Sequence, residues 1–126
     1  MTLAALDVLT PPVTRTQIVR FAGAAGDFNP MHHDEPFAVA AGSESVFAMG
    51  QLTAAILGEA VAEWLGRDRV AGYGVRFKAK VLPDDVLHLT GRVTSVEDDG
   101  TQVCELSATR SGSDEVVLTG WAKARP

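Results

Sequence analysis

The sequence predicts an α+β fold in which one buried helix is set against an antiparallel sheet. Hydrophobic residues recur at helical spacing in the first half and change to a period of two after Gly66. The run from Gly50 to Leu65 is apolar or small on nearly every side, as a helix buried all round must be. The last three strand-like runs are joined by links too short for anything but antiparallel neighbours. A helix segregated to one face of such a sheet is the arrangement that follows.

The elements follow in order. A short extended start near Asp7 to Thr10 is interrupted by Pro11-Pro12. Thr14 and Gln17 form a capping-box pair that opens a short helix, with Ile18, Val19, Phe21 and Ala22 as its apolar face. That helix ends near Gly23 to Gly26. Asp34-Glu35-Pro36 opens a second one with an N-cap acid, an acidic first turn and an early proline; it finishes at Ala40 to Gly42. The third and longest runs from Gly50 to Leu65, with Glu59 and Glu63 as its one polar stripe. Four strands are then predicted: Val70 to Val81, Val86 to Val96, Thr101 to Arg110 and Glu115 to Ala124. Pro83-Asp84-Asp85, Asp98-Asp99-Gly100 and Ser111-Gly112-Ser113-Asp114 separate them as turns.

Bulk properties bound the function. At 126 residues the chain has the length of one domain, 1–126, with room for one hydrophobic core. No internal repeat is visible. It is 46% hydrophobic and 21% charged, the balance of an ordinary globular protein. A formal net charge of −5 argues against nucleic acid, because phosphate binding leans on a surplus of Lys and Arg. The opening residues, Met1 to Asp7, carry no basic region and no apolar run of signal-peptide length. The run Leu52 to Leu65 is too short for a bilayer and carries Glu59 and Glu63, so no membrane partner is expected. Cys104 is the one cysteine; it sits in an alternating run and reads as a buried strand residue in a reducing cytoplasm.

Chemistry concentrates in Gly26-Asp27-Phe28-Asn29-Pro30-Met31-His32-His33-Asp34. A carboxylate and an imidazole stand five positions apart across a turn-forming Asn-Pro, an acid and a base held close by a stiff loop. Taken singly, Asp27 is a turn acid and His32 a structural histidine. At this joint spacing the segment resembles the signature of the MaoC-like, R-specific enoyl-CoA hydratases (hydratase 2). The likeness extends from Thr14 onward and is densest between Phe21 and Gly50.

The resemblance implies a hot-dog fold: a curved antiparallel sheet wrapped around one long buried helix. It also implies reversible addition of water to a trans-2-enoyl thioester, giving an (R)-3-hydroxyacyl thioester. By that resemblance Asp27 and His32 are the catalytic pair. The carboxylate takes the proton of water while His32 orients the water and passes a proton to the α-carbon, or the two roles are exchanged. Asn29 and Pro30 shape the loop. Gly50 opens the buried helix at the positive end of its dipole, and its N–H is the expected oxyanion-hole donor. Gly42 also stands where related sequences carry glycine. Arg76, Lys78 and Lys80 alternate along a predicted strand, so their shared face is either a phosphate-binding patch for coenzyme A or a solvated face. Trp64, Tyr73 and Trp121 read as core or interface packing.

No cofactor is expected beyond a coenzyme A or acyl-carrier-protein thioester as substrate. No metal is expected either: His32-His33-Asp34 lacks the i, i+4 spacing of a helical ligand pair, and Asp34 is accounted for as a helix cap. The family pairs its domains, so a homodimer or a heteromer with another MaoC-like chain is expected. One departure stands out. Hydratases of the family usually carry His before the glycine that opens the helix, and this chain has Met49. That substitution favours a rival reading, a non-catalytic or co-catalytic MaoC-like subunit of a heteromeric hydratase. A second rival is a hot-dog thioesterase using Glu59 or Glu63.

Overall fold

The computed structural model describes residues 3–126; Met1 and Thr2, on which part of the N-terminal reading rests, lie outside the described residues. Strand β1 covers Leu6–Leu9. Helices α1 (Arg15–Ala25), α2 (Glu35–Ala40) and α3 (Gly50–Leu65) follow, and then strands β2 (Val70–Phe77), β3 (Leu87–Val96), β4 (Gln102–Arg110) and β5 (Glu115–Ala124). The strands form one sheet in the order β1-β3-β4-β5-β2, with every pair antiparallel.

The caps act where the sequence placed them. Thr14 Oγ1 accepts from the Gln17 N–H at 3.0 Å, and Asp34 Oδ1 accepts from the Phe37 N–H at 3.2 Å. Gly26 ends α1 in the left-handed region at φ 70°, where a side chain would be strained. Two short 3-10 turns, Pro30–His32 and Arg67–Arg69, were not read from the sequence.

Helix α3 fills the concave side of the sheet. It packs against β2, β3 and β5 and also against β1, so it reaches both edge strands. Five flat strands span roughly 19 Å and a helix only about 10 Å, so that contact requires the sheet to curl around the helix. Period-two burial turns Leu87, Leu89, Cys104, Leu106, Ala108, Leu118 and Ala122 inward onto Leu57, Val61 and Leu65. Leu57 is fully buried, and truncating it to Ala would cost about 2–5 kcal/mol. At Gly91 an added Cβ would stand 2.9 Å from Leu106 and 3.0 Å from Trp64, so glycine leaves room for the indole.

Strand β2 is shorter than the predicted Val70 to Val81. It leaves the sheet after Phe77, because the N–H groups of Lys78 and Ala79 both donate to the Val117 carbonyl, at 2.9 and 3.3 Å. That shared acceptor breaks the ladder and swings Lys78–Val81 toward the segment before α3, where the Ala48 N–H donates to Val81 O at 2.9 Å. The expectation that Arg76, Lys78 and Lys80 share one strand face is therefore corrected: past Phe77 there is no strand to share. Trp121, expected as core or interface, lies on the outer face of the sheet over Gly72 and Gly74, 47% exposed.

Candidate active site

The loop after α1 sets the first half of the site. The Asp27 N–H completes the end of the helix by donating to Ala22 O at 3.0 Å. Its carboxylate Oδ1 accepts from the Asn29 N–H at 3.4 Å, and Asn29 Oδ1 accepts from the Met31 N–H at 3.0 Å. Pro30, with its fixed φ, starts the 3-10 turn that ends at His32. This chain of local bonds delivers the His32 ring beside Asp27, with Nε2 3.4 Å from Asp27 Oδ2.

His32 is held from its other side. Its Nδ1 lies 2.7 Å from the carbonyl oxygen of Phe47, and the ring meets the Phe47 ring edge to face, centroids 5.3 Å apart. A carbonyl can only accept, so Nδ1 carries a proton that it donates to Phe47 O, and Nε2 is the ring nitrogen turned toward Asp27. The His32 side chain is 8% exposed, whereas the Asp27 side chain is 41% exposed and faces the open cleft.

The second half of the site is the start of α3. Among the described residues the N–H groups of Gly50 and Gln51 find no acceptor in the chain, and Leu52 donates to Met49 O at 3.0 Å. Asp27, His32, Phe47, Met49, Gly50 and Gln51 line one cleft of about 510 Å³ together with Phe77, Lys78 and Lys80. The Phe77 ring lies across Gly50, so close that a Cβ there would stand 2.7 Å from Cε1.

Arg76 is not part of this cleft. It lines a separate groove on the outer face of the sheet with Trp121 and Arg92. His33 donates from Nε2 to Phe28 O at 3.3 Å, and His88 pairs with Asp7 at 2.6 Å on the far edge of the sheet. Glu59 is exposed and bound to Arg67 at 2.8 Å, nine residues along α3 from Gly50 or about 13 Å, and neither it nor Glu63 lines the cleft that holds Asp27 and His32. Cys104 is 1% exposed, and burial pushes its thiol pKa up. Phe47, Phe77 and Ser43 escaped the sequence reading; they carry no ionisable chemistry, and their partners lie far along the chain.

A family model for the MaoC like domain matches residues 5–115. The chain belongs to the MaoC-like domain family. Over 107 residues it is 33% identical to the fatty acid synthase subunit beta of Aspergillus oryzae, covering 82% of this chain and 5% of that one. Over 84 residues it is 32% identical to the 3-oxo-4,17-pregnadiene-20-carboxyl-CoA hydratase beta subunit of Mycobacterium tuberculosis, covering 66% of this chain and 65% of that one. The chain thus spans a small part of the first relative and under two thirds of the second.

Among solved structures, the (R)-hydratase from A. caviae involved in PHA biosynthesis superposes with TM-score 0.87 at 23% identity, over 99% of this chain and 96% of that one. The ChsH1-ChsH2 complex of M. tuberculosis gives 0.84 at 24%, over 99% and 97%. At these identities the likeness is one of fold, and the fold of this MaoC-like chain is the hot dog.

Proposed function

We propose that this MaoC-like chain is an R-specific enoyl-thioester hydratase, running as a dehydratase in reverse. The observation that carries the reading is the convergence in one cleft of the Asp27 carboxylate, the Nε2 of His32 beside it and, among the described residues, the unpaired N–H of Gly50. Both groups border the cleft, where an entering water can donate an O–H to His32 Nε2 with the Asp27 carboxylate beside it. As the water oxygen attacks the β-carbon, His32 Nε2 takes its proton, and Asp27 stabilises the resulting imidazolium. The π electrons move through the α-carbon onto the thioester oxygen, where the Gly50 N–H and the α3 dipole stabilise the enolate. The imidazolium then gives its proton to the α-carbon, which restores neutral His32. Of the two divisions of labour open from sequence, the tautomer held by Phe47 favours His32 as the base.

Substrate recognition follows the same cleft. Lys78 is exposed on its wall with no carboxylate partner among the described residues, and it is the cation we assign to a phosphate of coenzyme A or of an acyl-carrier arm. Phe47, Phe77 and Ala79 offer an apolar wall to the acyl group. The chain acts as a dimer or with a second MaoC-like chain. The heteromeric alternative is favoured by Met49, 4% exposed at the position where the family's hydratases usually carry His.

The deciding assay is hydration of crotonyl-CoA and of a longer enoyl-CoA by the purified chain, read as loss of the enoyl-thioester absorbance. Turnover to the (R)-3-hydroxy product is expected. An inactive chain that becomes active only with a second MaoC-like subunit would select the alternative. Inactivity in both settings would remove the proposal.

A further inference from the structure

We infer that Lys80 is a positioning residue for His32, acting through Phe47, and not a phosphate ligand. Departure of the chain from the sheet at Phe77 carries Lys80 across to the segment before α3. There its backbone is fixed from both sides. Arg110 Nη2 donates to Lys80 O at 2.6 Å while the same guanidinium holds Asp85 at 2.9 Å, and the neighbouring Val81 O accepts from Ala48.

The ammonium is committed as well. It donates to Ser43 Oγ at 3.2 Å and stands 5.0 Å from the centroid of the Phe47 ring. Ser43 is 5% exposed and gives its own hydroxyl proton to Ser45 O at 2.7 Å, so its lone pair is what Lys80 finds. The cation thereby ties together both ends of the Ser43–Phe47 segment.

Phe47 is the member of that segment that touches the catalytic pair. Its N–H donates to Met31 O at 3.3 Å, its carbonyl accepts from His32 Nδ1, and its ring packs edge to face on the His32 ring. A cation over an aromatic face holds the ring in one orientation. The Lys80 ammonium thus fixes Phe47, and Phe47 fixes the tautomer and aim of His32. A lysine already bound to a buried hydroxyl and an aromatic face is poorly placed to receive a mobile phosphate, whereas Lys78, two residues earlier, has no such partners among the described residues.

The kinetic arm of the test rests on the hydratase reading above; the spectroscopic arm does not. In protein labelled with ¹⁵N-histidine, long-range proton–nitrogen correlations report the tautomer of His32. His33→Gln and His88→Gln variants assign the other two signals. His32 is expected as the Nδ1–H form in the parent, as a mixture in Lys80→Met, and restored in Lys80→Arg. On crotonyl-CoA and on phosphate-free crotonyl-pantetheine, Lys80→Met should lower kcat by the same factor with KM unmoved. That factor is roughly three- to tenfold, about the worth of one ordinary hydrogen bond. An unchanged His32 tautomer in Lys80→Met, or a KM increase confined to the coenzyme A thioester, would overturn the inference. If the parent hydrates neither thioester, the hydratase reading has failed and the tautomer alone decides the role of Lys80.

Discussion

Asp27 and His32 owe their meeting to a run of local hydrogen bonds and one 3-10 turn, and the rest of the fold adds Phe47, by its carbonyl and its ring. Substitution at either should therefore remove chemistry and leave the fold intact. Asp27→Asn and His32→Ala are each expected to lower hydration of crotonyl-CoA by about 10²–10⁴-fold, the usual contribution of a positioned acid or base. Circular dichroism should stay that of the parent. A double variant that keeps near-full activity would sink the assignment. The neighbourhood of this pair was legible in the sequence because a short loop with Asn29 and Pro30 leaves the backbone few alternatives. Phe47 was not legible: it stands fifteen positions from His32, and a backbone carbonyl carries no residue-type signal.

Among the elements, α3 and β2 decide the most. The start of α3 supplies the unpaired N–H of Gly50, and the end of β2 lays Phe77 over it. Gly50→Ala should push the half-exposed Phe77 ring aside, with loss of turnover but little loss of thermal stability. Gly50→Pro removes the donor at a helix position that tolerates proline. The loss of transition-state stabilisation should be roughly 2.7–4 kcal/mol in kcat. Gly50→Pro with parental kcat would refute the oxyanion role.

The side chain of Tyr73 binds β2 to α3 through a 2.6 Å hydrogen bond to Ala54 O, and burial pushes its pKa up to about 12 from 10.0. Between those values the folded chain keeps a proton that the unfolded chain releases. Stability from this residue is thus complete below about pH 10 and is lost as pH rises toward 12. Tyr73 is the one tyrosine, so phenolate absorbance followed alongside unfolding reads the effect directly. A phenol titrating at the ordinary value in the folded state would contradict it.

For the whole molecule, the unsettled surface is the free edge of β2. Eight residues long, it pairs among the described residues with β5 on one side only, while the opposite edge strand β1 has just four residues. An edge of that length is a template for another strand. Exposed Phe28 and Phe77 add apolar area near the cleft. We expect light scattering at micromolar concentration to give a dimer or larger assembly, alone or with a second MaoC-like chain. A clean monomer under both conditions would count against this.

Whatever depends on near neighbours can be read directly from the residues. The caps at Thr14 and Asp34, the buried all-apolar α3, the antiparallel order of β3, β4 and β5, and the Asp27–His32 loop all follow from period and turn chemistry acting over a few residues. The end of β2 cannot be read that way, because the Val117 carbonyl that stops it lies some forty positions away. That one non-local acceptor separates Arg76 on the outer face from Lys78 and Lys80 in the cleft, and it brings Lys80 onto Phe47. Alternation in a sequence says which residues share a face only while the strand continues. Where a strand leaves its sheet is set by hydrogen bonds to a partner strand that local pattern does not encode.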